Sequence, residues 1–233
     1  IENRKDVLNK CSMIRNLNSI EEEMRKSDNP KIIFEIATLN MIYANNLENT
    51  MQFPLLALII SGGHTDIVYM EDDYKFKVLG GTLDDAIGEA YDKVARVLGL
   101  KYPGGPNVEK MALNGKPSYK LPIPMNDESL NMSFSGLKSS IINLVHNEQQ
   151  RNRKINREDL ACSFQTVATD QLVRKLELAI KQTNIKNIII AGGVSANQYI
   201  RSEITKLASK YNANISVPKL LYCTDNAAMI GAA

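Results

Sequence analysis

The sequence predicts an α/β fold whose working parts lie where strands end, and three observations carry that expectation. Leu55 to Ile60 is an unbroken apolar run that enters Ser61-Gly62-Gly63-His64, the pattern of a buried strand stopped by a glycine turn. Asp159 to Lys181 spaces Leu160, Phe164, Val167, Leu172, Leu176 and Ile180 for one buried helical stripe. That helix feeds a second apolar strand, Asn187 to Ala191, which again runs into two glycines. Strands alternating with helices bind ligands beyond the carboxyl ends of the strands.

Taken in order, residues 1 to 50 are rich in Asn, Lys and Glu, with a helical patch at Ile20 to Lys26 and a short strand expected at Pro30 to Ile36. After the first apolar strand, Thr65 to Met70 alternates polar and apolar residues and reads as its hairpin partner. Lys75 to Leu79 follows as a third strand. In TLDDAIGEAYDKVARVLGL, Thr82 or Asp84 is placed to cap a helix, with Ile87, Ala90, Tyr91, Val94 and Leu98 on its inner face. Asp85, Glu89, Asp92 and Arg96 fall on the opposite face, where Glu89–Lys93 and Asp92–Arg96 have ion-pair spacing. The prolines and glycines of LKYPGGP stop that helix, and Glu109 to Met111 begins another. A proline-rich loop from Lys116 to Leu130 leads to a helix in MSFSGLKSSIINLVHN. The polar run NEQQRNRKINR reads as a solvated loop, with a nucleic-acid contact as the alternative. Beyond Asn197 come a helix to about Lys210, a strand at Ile215 to Val217, and a final helix opened by Cys223-Thr224-Asp225-Asn226.

Composition excludes several classes. With 28 Lys and Arg against 26 Asp and Glu, net charge argues for neither a general nucleic-acid binder nor an acidic partner. The 3 cysteines are far apart and form no CxxC pair, which fits a reducing compartment rather than a disulfide framework. No apolar run approaches the ~20 residues of a membrane helix, so a cytoplasmic protein is expected. The missing initial Met and the mid-helix ending predict a chain cut at both ends.

Gly62-Gly63, Gly104-Gly105 and Gly192-Gly193 recur at element ends. Each alone fits an ordinary turn; together with an acid-bearing helix they point to a nucleotide held by backbone N–H groups. Asp92 or Glu109 suits a ribose diol because a carboxylate accepts from both hydroxyls, and Asn197 adds a donor and an acceptor. Asp225 is either a helix cap or a hard ligand for a metal beside phosphate.

ISGGHT, TLDDAIGEAYDKVARVLGLKYPGGP, SFSGLK, AGGVSAN and CTDNAAMIGAA, in this order, closely resemble the bacterial type of the TsaD family, formerly called glycoprotease or O-sialoglycoprotein endopeptidase. The resemblance implies an actin-like ATPase (sugar kinase and heat-shock protein, ribonuclease H-like) fold. Residues 51–233 would be mainly its C-terminal lobe, and 1–50 a poorly matched N-terminal segment. It implies transfer of a threonylcarbamoyl group from threonylcarbamoyl-AMP to N6 of adenosine 37 in tRNAs reading ANN codons. Ile59, Ile60, Ser61, Gly62, Gly63 and His64 would line the phosphate and carbamoyl side. Asp92, Gly105, Glu109 and Asn197 would hold the nucleoside, whether of threonylcarbamoyl-AMP, ATP or ADP. Asp225 would bind one divalent iron or zinc. Implied partners are tRNA, a TsaB-like protein and a TsaE-like ATPase, with a homodimer allowed and no membrane. The family's HxxxH motif, whose histidines join the metal, falls here on Ala37 and Met41, which are poor ligands. A catalytically silent nucleotide-binding or assembly subunit is therefore the second reading, and an ATP-hydrolysing sugar-kinase-like enzyme a third.

Overall fold

The computed structural model describes residues 30–47 and 50–223, with side chains from residue 37 onward. A five-stranded mixed sheet in the order β3-β2-β1-β4-β5 is its spine. β1 (Leu55–Ile60), β2 (Thr65–Asp72) and β3 (Lys75–Gly81) form an antiparallel meander, while β4 (Asn187–Ala191) runs parallel to β1 and β5 (Asn214–Ser216) parallel to β4. β1 is continuously apolar because it is central and covered on both faces. Leu56, Leu58 and Ile60 point into the larger core with Ile188 and Ile190, and Leu55, Ala57 and Ile59 into the smaller one with Val68 and Met70. Full burial of each such Leu, Ile, Val or Met side chain is worth about 2 kcal/mol.

α1 (Pro30–Tyr43) covers the smaller core. The expected strand at Pro30–Ile36 is thus the first half of a helix: proline is preorganised for the first helical position, and no breaker follows it before the run ends. The C-terminal end of α1 is pinned through the Tyr43 hydroxyl, which donates to Asp73 at 2.8 Å, and through Asn45 Nδ2, which donates to the Ile190 carbonyl at 3.1 Å.

The larger core is covered by α2 (Ile87–Val97), α3 (Gly104–Ala112), α4 (Ser135–Gln150), the long α5 (Arg157–Thr183) and α6 (Gln198–Lys210). The predicted inner stripe of α2 is buried, and Tyr91 meets Phe164 of α5 edge to face at 4.9 Å between ring centroids. Neither Thr82 nor Asp84 caps α2; its first N–H goes to the Thr65 hydroxyl at 2.9 Å. Asp84 reaches 50 residues ahead and accepts from the Phe134 and Ser135 N–H groups at 2.8 and 3.2 Å, at the start of α4. Asp85 meets Lys138 at 2.7 Å and Lys93 at 2.9 Å. Burial opposes ionisation of Asp85, but the two ammonium groups outweigh it and hold its carboxyl below the ordinary range. The TLDD and SFSGLK motifs are therefore two halves of one clamp. Of the two expected ion pairs on α2, Glu89–Lys93 forms at 2.7 Å. Asp92 turns instead to Gly104, where the expected glycine turn is the first turn of α3.

Candidate nucleotide site

β1 and β4 are neighbouring parallel strands, so their carboxyl ends open side by side. At the end of β1, Ser61 shapes the turn: its hydroxyl accepts from the His64 N–H at 2.9 Å and the Gly63 N–H at 3.3 Å, and its own N–H donates to the His64 carbonyl at 2.8 Å. The turn is a hairpin whose tip is open, since a Cβ at Gly62 or Gly63 would meet nothing within 4 Å. Behind the tip the packing is tight. A Cβ on Gly88, in the first turn of α2, would lie 2.6 Å from the Ser61 carbonyl oxygen, and one on Gly192 would lie 2.5 Å from that of Ile60. Gly192 also has φ of 92°, a conformation that favours glycine.

Ile59 and Ile60 are fully buried in opposite cores, which leaves only their backbone for a ligand. His64 is half-buried, and desolvation lowers its pKa below the usual 6.5, so its imidazole is neutral at neutral pH.

The second wall is built from polar side chains, each engaged with a helix start. Asp92 Oδ1 accepts from the Gly104 N–H at 2.7 Å. Glu109 Oε1, on α3, accepts from the Gln198 N–H at 2.6 Å. Asn197 caps α6 through its Oδ1, which accepts from the Ile200 N–H at 2.9 Å, and its Nδ2 donates to Gln165 Oε1 at 3.2 Å. Asp92, Gly105, Glu109 and Asn197 are thereby strung along one path from α2 through α3 to α6. Among the described residues the second oxygen of each carboxylate accepts no hydrogen bond, and a Cβ on Gly105 would meet nothing within 4 Å.

Two residues of this region escaped the sequence reading. Thr65 is fully buried and ties the hairpin to α2 through the hydroxyl described above. Asp66 pairs across from Ile59 on the α1 side of the sheet, is 8% exposed, and its Oδ2 has no hydrogen-bond partner among the described residues. Burial pushes its carboxyl up to about 6. A single acid within an alternating strand gives no signal of this in sequence.

Residues 31–232 match the family TsaD, tRNA N6-adenosine threonylcarbamoyltransferase. The chain belongs to that family. Its relatives include proteins called tRNA N6-adenosine threonylcarbamoyltransferase from Staphylococcus carnosus, 51% identical over 82% of this chain and 56% of the relative, and from Bacillus cereus, 52% identical over 82% and 57%. The one from Mycoplasma capricolum is 52% identical over 81% of this chain and 60% of its own. This TsaD-family chain thus spans little more than half the length of those relatives. Among solved structures, full-length HypF in its phosphate- and nucleotide-bound form superposes with a TM-score of 0.62 at 11% identity, covering 83% of this chain and 34% of HypF. That likeness shows a shared fold and, with the strand order above, agrees with the actin-like ATPase fold expected of the family.

The metal expected for a TsaD protein does not fit the residues in view. Ala37 and Met41 lie one turn apart on α1 and offer a methyl group and a buried thioether in place of imidazoles. Among the described residues no group of three His, Cys, Asp or Glu side chains could hold an ion. Asp225 and the helix expected after Cys223 lie outside the described residues. No helix among the described residues is long and apolar enough to cross a membrane.

Proposed function

We propose that this chain is the nucleotide-holding lobe of a cytoplasmic TsaD-type transferase, which binds threonylcarbamoyl-AMP and presents its carbamoyl group to N6 of adenosine 37 in tRNAs reading ANN codons. The observation that carries this is the convergence of the open Gly62-Gly63 tip and the Gly192-Gly193 turn with the Asp92–Gly105–Glu109–Asn197 wall. The glycine side gives phosphate oxygens close access to backbone, and the free carboxylate oxygens suit ribose hydroxyls.

The substrate is a mixed carbamic–phosphoric anhydride, so it arrives activated. The adenosine amine adds to the carbamoyl carbon, the carbon–oxygen bond to phosphate breaks, and AMP leaves with the electron pair while the amine gives up its proton. A protein nucleophile is not required; what helps is orientation and preorganised dipoles. Ser61 fixes the turn that faces the phosphate, the caps hold the nucleoside wall, and neutral His64 lines the site without adding charge. A TsaB-like and a TsaE-like partner, and the remainder of the full-length relatives, would complete the enzyme.

A second reading, a nucleotide-binding subunit without the reaction, is favoured by Ala37 and Met41 alone. Calorimetry with ADP, followed by transfer from preformed threonylcarbamoyl-AMP to unmodified tRNA with partners supplied, separates the two. Binding with transfer is the expected outcome. Binding without transfer selects the second reading, and no ADP binding by the folded chain rejects both.

A further inference from the structure

The turn joining α4 to α5 is the basic stretch that the sequence leaves as solvated loop or nucleic-acid contact, and it is built more firmly than a solvated loop. At the end of α4 the Asn152 N–H donates to the Gln149 carbonyl at 3.0 Å and the Arg153 N–H to the Glu148 carbonyl at 2.9 Å, with Asn152 at φ of 51°. That is a Schellman closure. On the far side Asn156 caps α5 by accepting from the Asp159 N–H at 3.1 Å, and its own N–H donates to the Tyr119 hydroxyl at 3.1 Å. Ile155 between them packs against the larger core. Both ends and the middle of the turn are anchored.

Beside it lies a cavity of about 330 Å³ with Val97, Leu98, Val145 and Ile155 on its apolar side. Arg153, Lys154 and Arg157 also line it, and no carboxylate does. Glu158 and Asp159 stand next in sequence but outside it, Asp159 accepting from the Lys116 N–H and the Ser118 hydroxyl. Among the described residues Arg153, Lys154 and Arg157 form no ion pair; the neighbouring Arg151 has Glu148 at 3.5 Å. The negative end of α4 favours cations near it, which accounts for Arg151 and Arg153. Arg157, which begins α5, turns to the end of α2 instead, where its Nη1 donates to the Leu98 carbonyl at 3.4 Å.

We infer that this cationic cavity is a second contact for the tRNA substrate, taking backbone phosphates at a distance from the transfer site. The inference rests on the tRNA reading above. The cavity touches Val97 and Leu98 at the end of α2, whereas the Gly88 contact with Ser61 is at its start, so about 14 Å of helix separates the two places. A folded RNA spans that distance with one phosphate strand, and fixed cations with no competing carboxylate are what phosphate contacts need.

The test is tRNA binding to the 233-residue chain by fluorescence anisotropy across a salt series, with ADP binding measured alongside. In Arg153→Ala/Lys154→Ala, affinity is expected to fall about tenfold near 0.1 M salt and the logarithmic salt slope to shrink by about 1.5, with ADP affinity unchanged. Lys75→Ala/Lys77→Ala, which removes the same charge from the edge strand β3, is expected to stay within twofold. Equal losses in the two double variants, or tRNA affinity unchanged in the first, overturn this inference and leave the proposed function standing. A wild-type chain that binds ADP but no tRNA overturns the tRNA reading and the inference with it.

Discussion

The two walls of the candidate site are made by opposite means. On the strand side, Gly62 and Gly63 leave bare backbone, and the contact surface exists because side chains are missing. On the helix side, Asp92, Glu109 and Asn197 are present and already committed to the N–H groups of Gly104, Gln198 and Ile200. The first wall is fixed by close packing behind it, the second by hydrogen bonds within it. Either way little conformational freedom remains to be lost when a ligand arrives, and that lowers the cost of binding.

The comparison breaks most visibly at Gly88. Gly88→Val would push a branched side chain against the backbone of Ser61 and Gly62, and it is expected to cost about 3 kcal/mol of stability and to abolish ADP binding. Urea unfolding and calorimetry check this; near-native stability would mean that the strand-side wall is not set by packing. On the other wall, Asp92→Ala removes the acceptor for the Gly104 N–H and is expected to cost about 2 kcal/mol as well as ADP affinity. Asp92→Asn, which keeps an oxygen there, should recover most of the stability in thermal melts. If Ala and Asn unfold alike, the cap contributes nothing.

Asp66 sharpens the contrast because it is a carboxylate next to the glycine wall whose Oδ2 is left unpartnered among the described residues. Its folded-state pKa of about 6 stands above the ordinary 3.8, so the folded protein holds the proton more tightly than the unfolded chain does. Stability from this group is therefore present below about pH 4 and lost as pH rises through about 6. Asp66→Asn is expected to stabilise the chain by about 1 kcal/mol at pH 8 and to do nothing at pH 4. The same change at both pH values would show that the ionised carboxylate is compensated.

Sequence patterning captures the sheet well: β1 and β4 end where their apolar runs end, and the meander follows from its glycine tip and alternation. It fails where composition and context disagree. Pro-Gly-Gly-Pro reads as a turn, yet prolines are tolerated just before and within a helix's first turn because those N–H groups need no partner inside the helix. Pro30 to Ile36 reads as a strand because a seven-residue window shows an apolar run and hides the helix that continues to Tyr43. Motif and chemistry nominate the candidate site residues but not the hydrogen bonds that hold this region, because Asp84 and Glu109 reach partners 50 and 89 residues away, which local propensity cannot foresee.

The clamp between residues 81–85 and 131–138 has a further meaning. Gly81 and Leu83 exchange backbone hydrogen bonds with Met132 at 2.9 and 2.8 Å, and Asp84 and Asp85 close on Phe134 and Lys138 just beyond. The chain that leaves the sheet at β3 is stitched to itself before α4 begins. Residues 86 to 130 thus form a cassette with joined ends, and Asp92, Gly105 and Glu109 ride inside it. Its proline-rich loop is bound in turn to α5, where the buried Lys175 donates to the Asp127 carboxylate and the Ser129 carbonyl, each at 2.7 Å. The cassette is thus held along its outer side as well as at its ends, while the glycine turns belong to the sheet.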